Sequence, residues 1–96
     1  MVTFFFRDYG ENLGTRPLGQ KVREQLLPLL EKDERVVLDF TGVNVVSNSF
    51  ADECIAKLLL TIPLSELKAH TTFQGLNPVA SESILTAIQR RHLSMA

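Results

Sequence analysis

Apolar and polar positions alternate along the chain in a way that predicts three strand-then-helix units. Thr3 to Phe6 is short, aromatic and apolar on both faces, the pattern of a central strand buried between two layers. A loop from Arg7 to Gly14 follows, and then Leu18, Val22, Leu26 and Leu29 or Leu30 recur every three to four residues, marking one stripe of an amphipathic helix. Thr15 is the expected N-cap of that helix and Pro17 sits in its first turn, where a missing N–H is harmless. Pro28 predicts a kink or an end near Leu27.

A polar turn from Glu31 to Arg35 leads to a second strand, Val36 to Asp39 or Phe40, which Thr41-Gly42 ends. Val43 to Val46 reads either as a sheet edge or, given Ser47-Asn48-Ser49 after it, as an extended approach to a helix. That second helix is the clearest element, with Ala51, Cys54, Ile55, Leu58, Leu59 and Ile62 on one face. Ser49 is its expected N-cap, Asp52 and Glu53 favour the positive end of its dipole, and Glu53 and Lys57 can pair on the exposed side. After Pro63 and a polar bend from Ser65 to His70, Thr71 to Gln74 reads as a third, more polar strand at an edge. Asn77 and Pro78 then open a last helix with Ala80, Ile84, Ala87 and Ile88 inward.

Strands alternating with helices imply parallel strands joined by right-handed crossovers, an α/β layer fold with three main helices. A doubly apolar first strand in the middle gives the order 2-1-3 and sends the first two helices to opposite faces. Three strands make a small sheet, so a fourth from Val43 to Val46 or from a second chain fits the expectation. In such sheets binding surfaces form beyond the carboxyl ends of the strands. There the sequence gathers Arg7, Asp8, Asp39 to Thr41, Gly75 and Asn77, with Thr15-Arg16 and Ser47 to Asp52 opening helices nearby.

Composition narrows the function. The chain of 96 residues has room for one domain, residues 1–96, and its 45% apolar content suits a folded core. Ten basic against eleven acidic residues give no field for a polyanion, so no nucleic-acid partner is expected; Arg90-Arg91-His92 reads as cations at a helix end. Pro28, Lys57 and Pro63 interrupt every apolar stretch well short of the ~20 residues that span a bilayer, and Val2 to Phe6 is shorter than the ~7–15 residues of a signal-peptide core. Cys54 is the single cysteine, which fits a reducing cytoplasm and excludes an intramolecular disulfide.

Catalytic patterns are missing. Gly10, Gly14 and Gly19 lack phosphate-loop spacing, Asn48-Ser49-Phe50 lacks the glycines of a nucleophile elbow, and His70 and His92 lie far apart. Cys54 falls on an apolar stripe, and Asp39, Asp52 and Glu53 have ordinary structural roles available in place of a carboxylate pair. No enzyme, metal or cofactor is expected.

Leu38-Asp39-Phe40-Thr41-Gly42-Val43, followed by Ser47-Asn48-Ser49-Phe50-Ala51-Asp52-Glu53, resembles the core of STAS domains, the anti-sigma-factor antagonist fold. The pattern is closer to a STAS-like family of uncharacterised bacterial proteins, met here at Thr15-Arg16, Asp39 to Val43 and Ser49 to Glu53. In the antagonists a serine in this turn is phosphorylated by a partner kinase. Aligned on Asp39, that position holds Asn48, which cannot accept phosphate, leaving Ser47 and Ser49 as candidate acceptors. The resemblance implies a regulatory protein-binding module whose partner is a histidine-kinase-like ATPase or another signalling protein. Its contact residues would be Arg16, Asp39, Ser47, Asn48, Ser49, Phe50, Asp52 and Glu53. Two other readings remain open: a small-ligand sensor in which Arg7, Arg16 and the second helix hold an anion, and a structural subunit such as a homodimer.

Overall fold

The computed structural model describes residues 1–32 and 35–95. Strand β1 is Val2–Phe5, followed by a 3-10 turn at Phe6–Tyr9, then β2 at Asn12–Leu13 and helix α1 at Arg16–Glu31. Next come β3 at Val36–Asp39, β4 at Val45–Val46, α2 at Asn48–Cys54 and a 3-10 turn at Ala56–Leu60. The chain ends with α3 at Leu64–His70, β5 at Thr71–Gln74 and α4 at Pro78–Met95. Helices and parallel strands are mixed, so the fold is a small α/β one, as expected.

Local chemistry places the first and last helices as expected. The Thr15 hydroxyl accepts the Leu18 N–H, and the Asn77 side-chain oxygen accepts the Ala80 N–H at 2.8 Å. Helix α1 does not stop near Leu27. It continues through the solvent-exposed Pro28 to Glu31, because the next turn delivers Leu30 to the core. The polar turn expected from Glu31 to Arg35 lies partly outside the described residues.

The main sheet is parallel with the order β1-β3-β5, and Phe4 sits beside Leu38, which sits beside Phe73. The expected order 2-1-3 is therefore wrong: the central strand is β3, whose Val36 and Leu38 are fully buried. Strand β1 looked central because it is apolar on both faces, yet only Phe4 points into the core and Phe5 is 53% exposed. A sheet that grows in one direction puts successive right-handed crossovers on one face, so α1 and α2 pack against each other instead of lying on opposite sides. The edge position expected for Thr71 to Gln74 holds.

Val45–Val46 forms a strand, but it pairs in parallel with Asn12–Leu13 as a separate two-stranded ladder and adds nothing to the main sheet. The segment read as a polar bend from Ser65 to His70 is helical, and it buries Leu67. The core joins Phe4, Leu38, Val22, Leu26, Ile55 and Ile84, with Phe6 stacked on Phe40 at a ring separation of 3.9 Å. Among the described residues no helix is long and apolar enough to cross a membrane.

Candidate functional site

The carboxyl ends of the strands are tied together by short polar bonds. Asp39 closes β3, is only 7% exposed, and accepts the Thr41 amide at 2.8 Å and the Gln74 side-chain amide at 3.1 Å. Hydrogen bonds from the Thr41 hydroxyl and amide hold its carboxyl below the usual range, outweighing its burial. Asn77 donates to the carbonyls of Val43 and Asn44, fastening the head of α4 to the chain after β3.

Helix α2 begins two residues earlier than the sequence suggested. Its N-cap is Ser47, whose hydroxyl accepts the Phe50 N–H at 3.0 Å and donates to the Gly14 carbonyl at 3.0 Å. Ser49 lies inside the first turn and is exposed, as is Asn48. The reason is packing: with Ser47 as cap, Phe50 points inward and is completely buried. Phe50, expected at a contact surface, is thus a core residue.

Asp52 and Glu53 join three helices. Asp52 receives two hydrogen bonds from Arg91 of α4, from Nε at 3.0 Å and Nη2 at 2.8 Å, and one from Arg16 of α1 at 2.9 Å. Glu53 accepts from Arg23 of α1 at 2.7 Å and from Lys57 at 2.9 and 3.0 Å, with Arg16 at 3.4 Å. Arg23 also donates to the Glu53 carbonyl. The pairing with Lys57 matches expectation, but Glu53 is not on an exposed face, being only 6% exposed. Burial disfavours its charge, yet the Arg23 and Lys57 bonds prevail and hold its carboxyl down at about 2. The Arg91 bonds hold Asp52 below the usual range against the cost of burial, with help from Arg16. Asp52 is therefore an interhelical tether and not only a charge at the head of the helix.

Arg23 and Arg91 were missed as members of this cluster. Arg23 stands seven residues after Arg16, two turns along α1, which is a legible signal. Arg91 had none, since a cation near a helix end already has a sufficient explanation.

Beside this network a cleft of about 290 Å³ opens between α2 and α4, lined by Arg16, Asn48, Ser49, Asp52, Thr86 and Arg90 among others. A second hollow of about 390 Å³ shares Asn48, Thr86 and Arg90 with it and runs toward Val79 and Glu82. The Arg90 side chain makes no hydrogen bond or ion pair among the described residues. The structure thus brings Arg16, Ser47, Asn48, Ser49, Asp52 and Glu53 together, while Asp39 belongs to the separate bond set with Thr41 and Gln74.

Cys54 is enclosed, and Asp39, Asp52 and Glu53 are engaged. Burial pushes the Cys54 thiol up to about 12, and the three carboxylates are bonded to the partners above and not to one another. Among the described residues no group of three or more side chains of metal-binding type is assembled. Arg7 and Arg16, the cations considered for an anion site, are paired with Glu11 at 2.9 Å and with Asp52 and Glu53.

No curated protein and no solved structure matches the chain. The family model of the STAS-like domain of unknown function (DUF4325) matches residues 19–80. That stretch runs from the turn of α1 that meets α2, through the Asp39 turn and the Asp52-Glu53 tether, to the first turn of α4. With most of its length inside that match, the chain belongs to the family of STAS-like domains of unknown function.

Proposed function

We propose that this chain is a non-catalytic regulatory module of the anti-sigma-antagonist kind, read by a protein partner at Asn48, Ser49 and Arg90 along the α2–α4 cleft. One observation carries the reading. The acidic residues of the turn are consumed in holding α1, α2 and α4 together, while Asn48, Ser49 and Arg90 are exposed over the same cleft. A rigid scaffold presenting exposed polar loop residues is how recognition surfaces are commonly built.

Within this reading the two serines have different duties. Ser47 is occupied as a cap, so Ser49 is the hydroxyl of the turn that a partner kinase can reach. The resemblance to antagonists suggests a histidine-kinase-like ATPase as partner, with the chemistry belonging to that partner and the pair acting in the cytoplasm.

The test uses the purified chain as bait in an extract of its native host, beside an Arg90→Glu variant. One defined protein retained by the wild type and lost by the variant, at equal melting temperatures, is the expected result. Equal retention by both removes the cleft from the reading. Hydrolysis of ATP or of an ester by the chain alone would remove its non-catalytic part.

A further inference from the structure

We propose that the free edge of β1 pairs antiparallel with β1 of a second copy, so that two three-stranded sheets become one six-stranded sheet about a two-fold axis. The backbone is set for it. Val2 is paired with Val36 and its N–H donates to the Arg35 carbonyl, so Val2 and Phe4 direct their backbone groups to β3. By the alternation of a parallel ladder, Thr3 and Phe5 direct theirs to the open side, where no strand lies among the described residues.

The usual guards of such an edge are missing. Natural edges carry charge, proline or a bulge, whereas Val2, Thr3, Phe4 and Phe5 carry none of these. The outer face of the sheet is equally unguarded. It carries Thr3 and Phe5, Val37, and Thr72 and Gln74, and Phe5 is 53% exposed there. The opposite face, with Phe4, Val36 and Leu38, is buried with the helices. Parallel sheets bare on one side are uncommon, and three strands are few for a stable sheet.

The occupant that fits is another copy of the chain. A two-fold interface sets each charge close to its own kind, and this edge and face have no formal charge apart from Asp39, which is buried and bonded. An axis normal to the sheet reverses the strand direction while keeping both helix layers on the same side. The β5 edge is the competing free end of the sheet, with Thr72, Phe73 and Gln74 exposed, and its use would give a different, open-ended assembly.

Sedimentation equilibrium on the purified chain, from low micromolar to submillimolar, tests this together with Thr3→Pro and Phe5→Lys. Thr3→Pro removes an outward N–H and leaves the β3 ladder intact, a placement that edge strands accept. The expected result is a wild-type mass rising to twice 10.8 kDa, with both variants folded by circular dichroism and halved in mass at the same concentration. A wild type that stays at 10.8 kDa, or a dimer that survives in either folded variant, overturns the proposal. A mass that grows without limit overturns it too, because that would place β1 against the β5 edge of the next copy. Phe5→Lys alone decides the matter if Thr3→Pro fails to fold.

Discussion

A side chain on Gly19 would begin 2.9 Å from the Cβ of Glu53 and 3.3 Å from the Phe50 carbonyl oxygen. Helix α1 therefore meets α2 at nearly backbone contact, and this is what lets Arg16 and Arg23 reach Glu53 from the turns on either side. Gly19→Ala reverses the ordinary sign of such a change. In an exposed helix the substitution stabilises by about 1 kcal/mol. Here the methyl group meets an atom anchored to the α2 backbone, and we expect a loss of about 1–3 kcal/mol in urea denaturation. A gain in stability would mean that the two helices are further apart than described.

The two serines of the turn separate cleanly in stability. Ser47→Ala removes the cap of α2 and its bond to Gly14, so it should cost about 1 kcal/mol or somewhat more. Ser49→Ala, on an exposed first-turn position, should stay within about 0.5 kcal/mol of the wild type. Thermal unfolding of both variants measures this, and equal losses would return the cap to Ser49.

Acid should unfold this protein through its tethers. Glu53, Asp52 and Asp39 all have folded values below their ordinary ones, so the unfolded chain binds more protons as the pH falls. Their contribution is fully present above the unfolded carboxylate values of about 4 and is lost as the pH descends through the folded values, about 2 for Glu53. Denaturation midpoints should therefore be level near neutrality and fall between about pH 5 and pH 2. Glu53→Gln should flatten that fall, and an unchanged slope in the variant would contradict the role given to Glu53.

What was legible in the sequence was local. Thr15, Pro17, Asn77 and Pro78 act within one turn of themselves, so the starts of α1 and α4 could be read from spacing alone. The same holds for the buried stripe of Ala51, Cys54, Ile55, Leu58 and Leu59, but the single helix expected through Ile62 ends at Cys54 and gives way to the 3-10 turn at Ala56–Leu60, leaving Ile62 half-buried. Strand order was not legible, because Phe4 and Phe5 are equally apolar and only the topology decides that Phe5 faces solvent. Helix α3 was hidden by having just Leu64, Leu67 and the small Ala69 among polar residues.

The candidate site shows the same division. The turn from Ser47 to Glu53 stood out as a pattern, but two serines two residues apart offered two equivalent caps, and the burial of Phe50 chose between them. Glu53 read as a surface charge since nothing near it in sequence, apart from Lys57, reveals that Arg23 faces it across the helix interface. Its burial is a fact of tertiary packing.

The claim that a partner reads the exposed head of α2 is tested most directly by site-specific photocrosslinking in the native host. A photoreactive residue would be placed at Asn48, and in a parallel strain at Lys21 on the exposed side of α1. One discrete protein adduct is expected from position 48, none from position 21, and that adduct should be lost when Arg90→Glu is added. No adduct from position 48, or the same adducts from both positions, would contradict it.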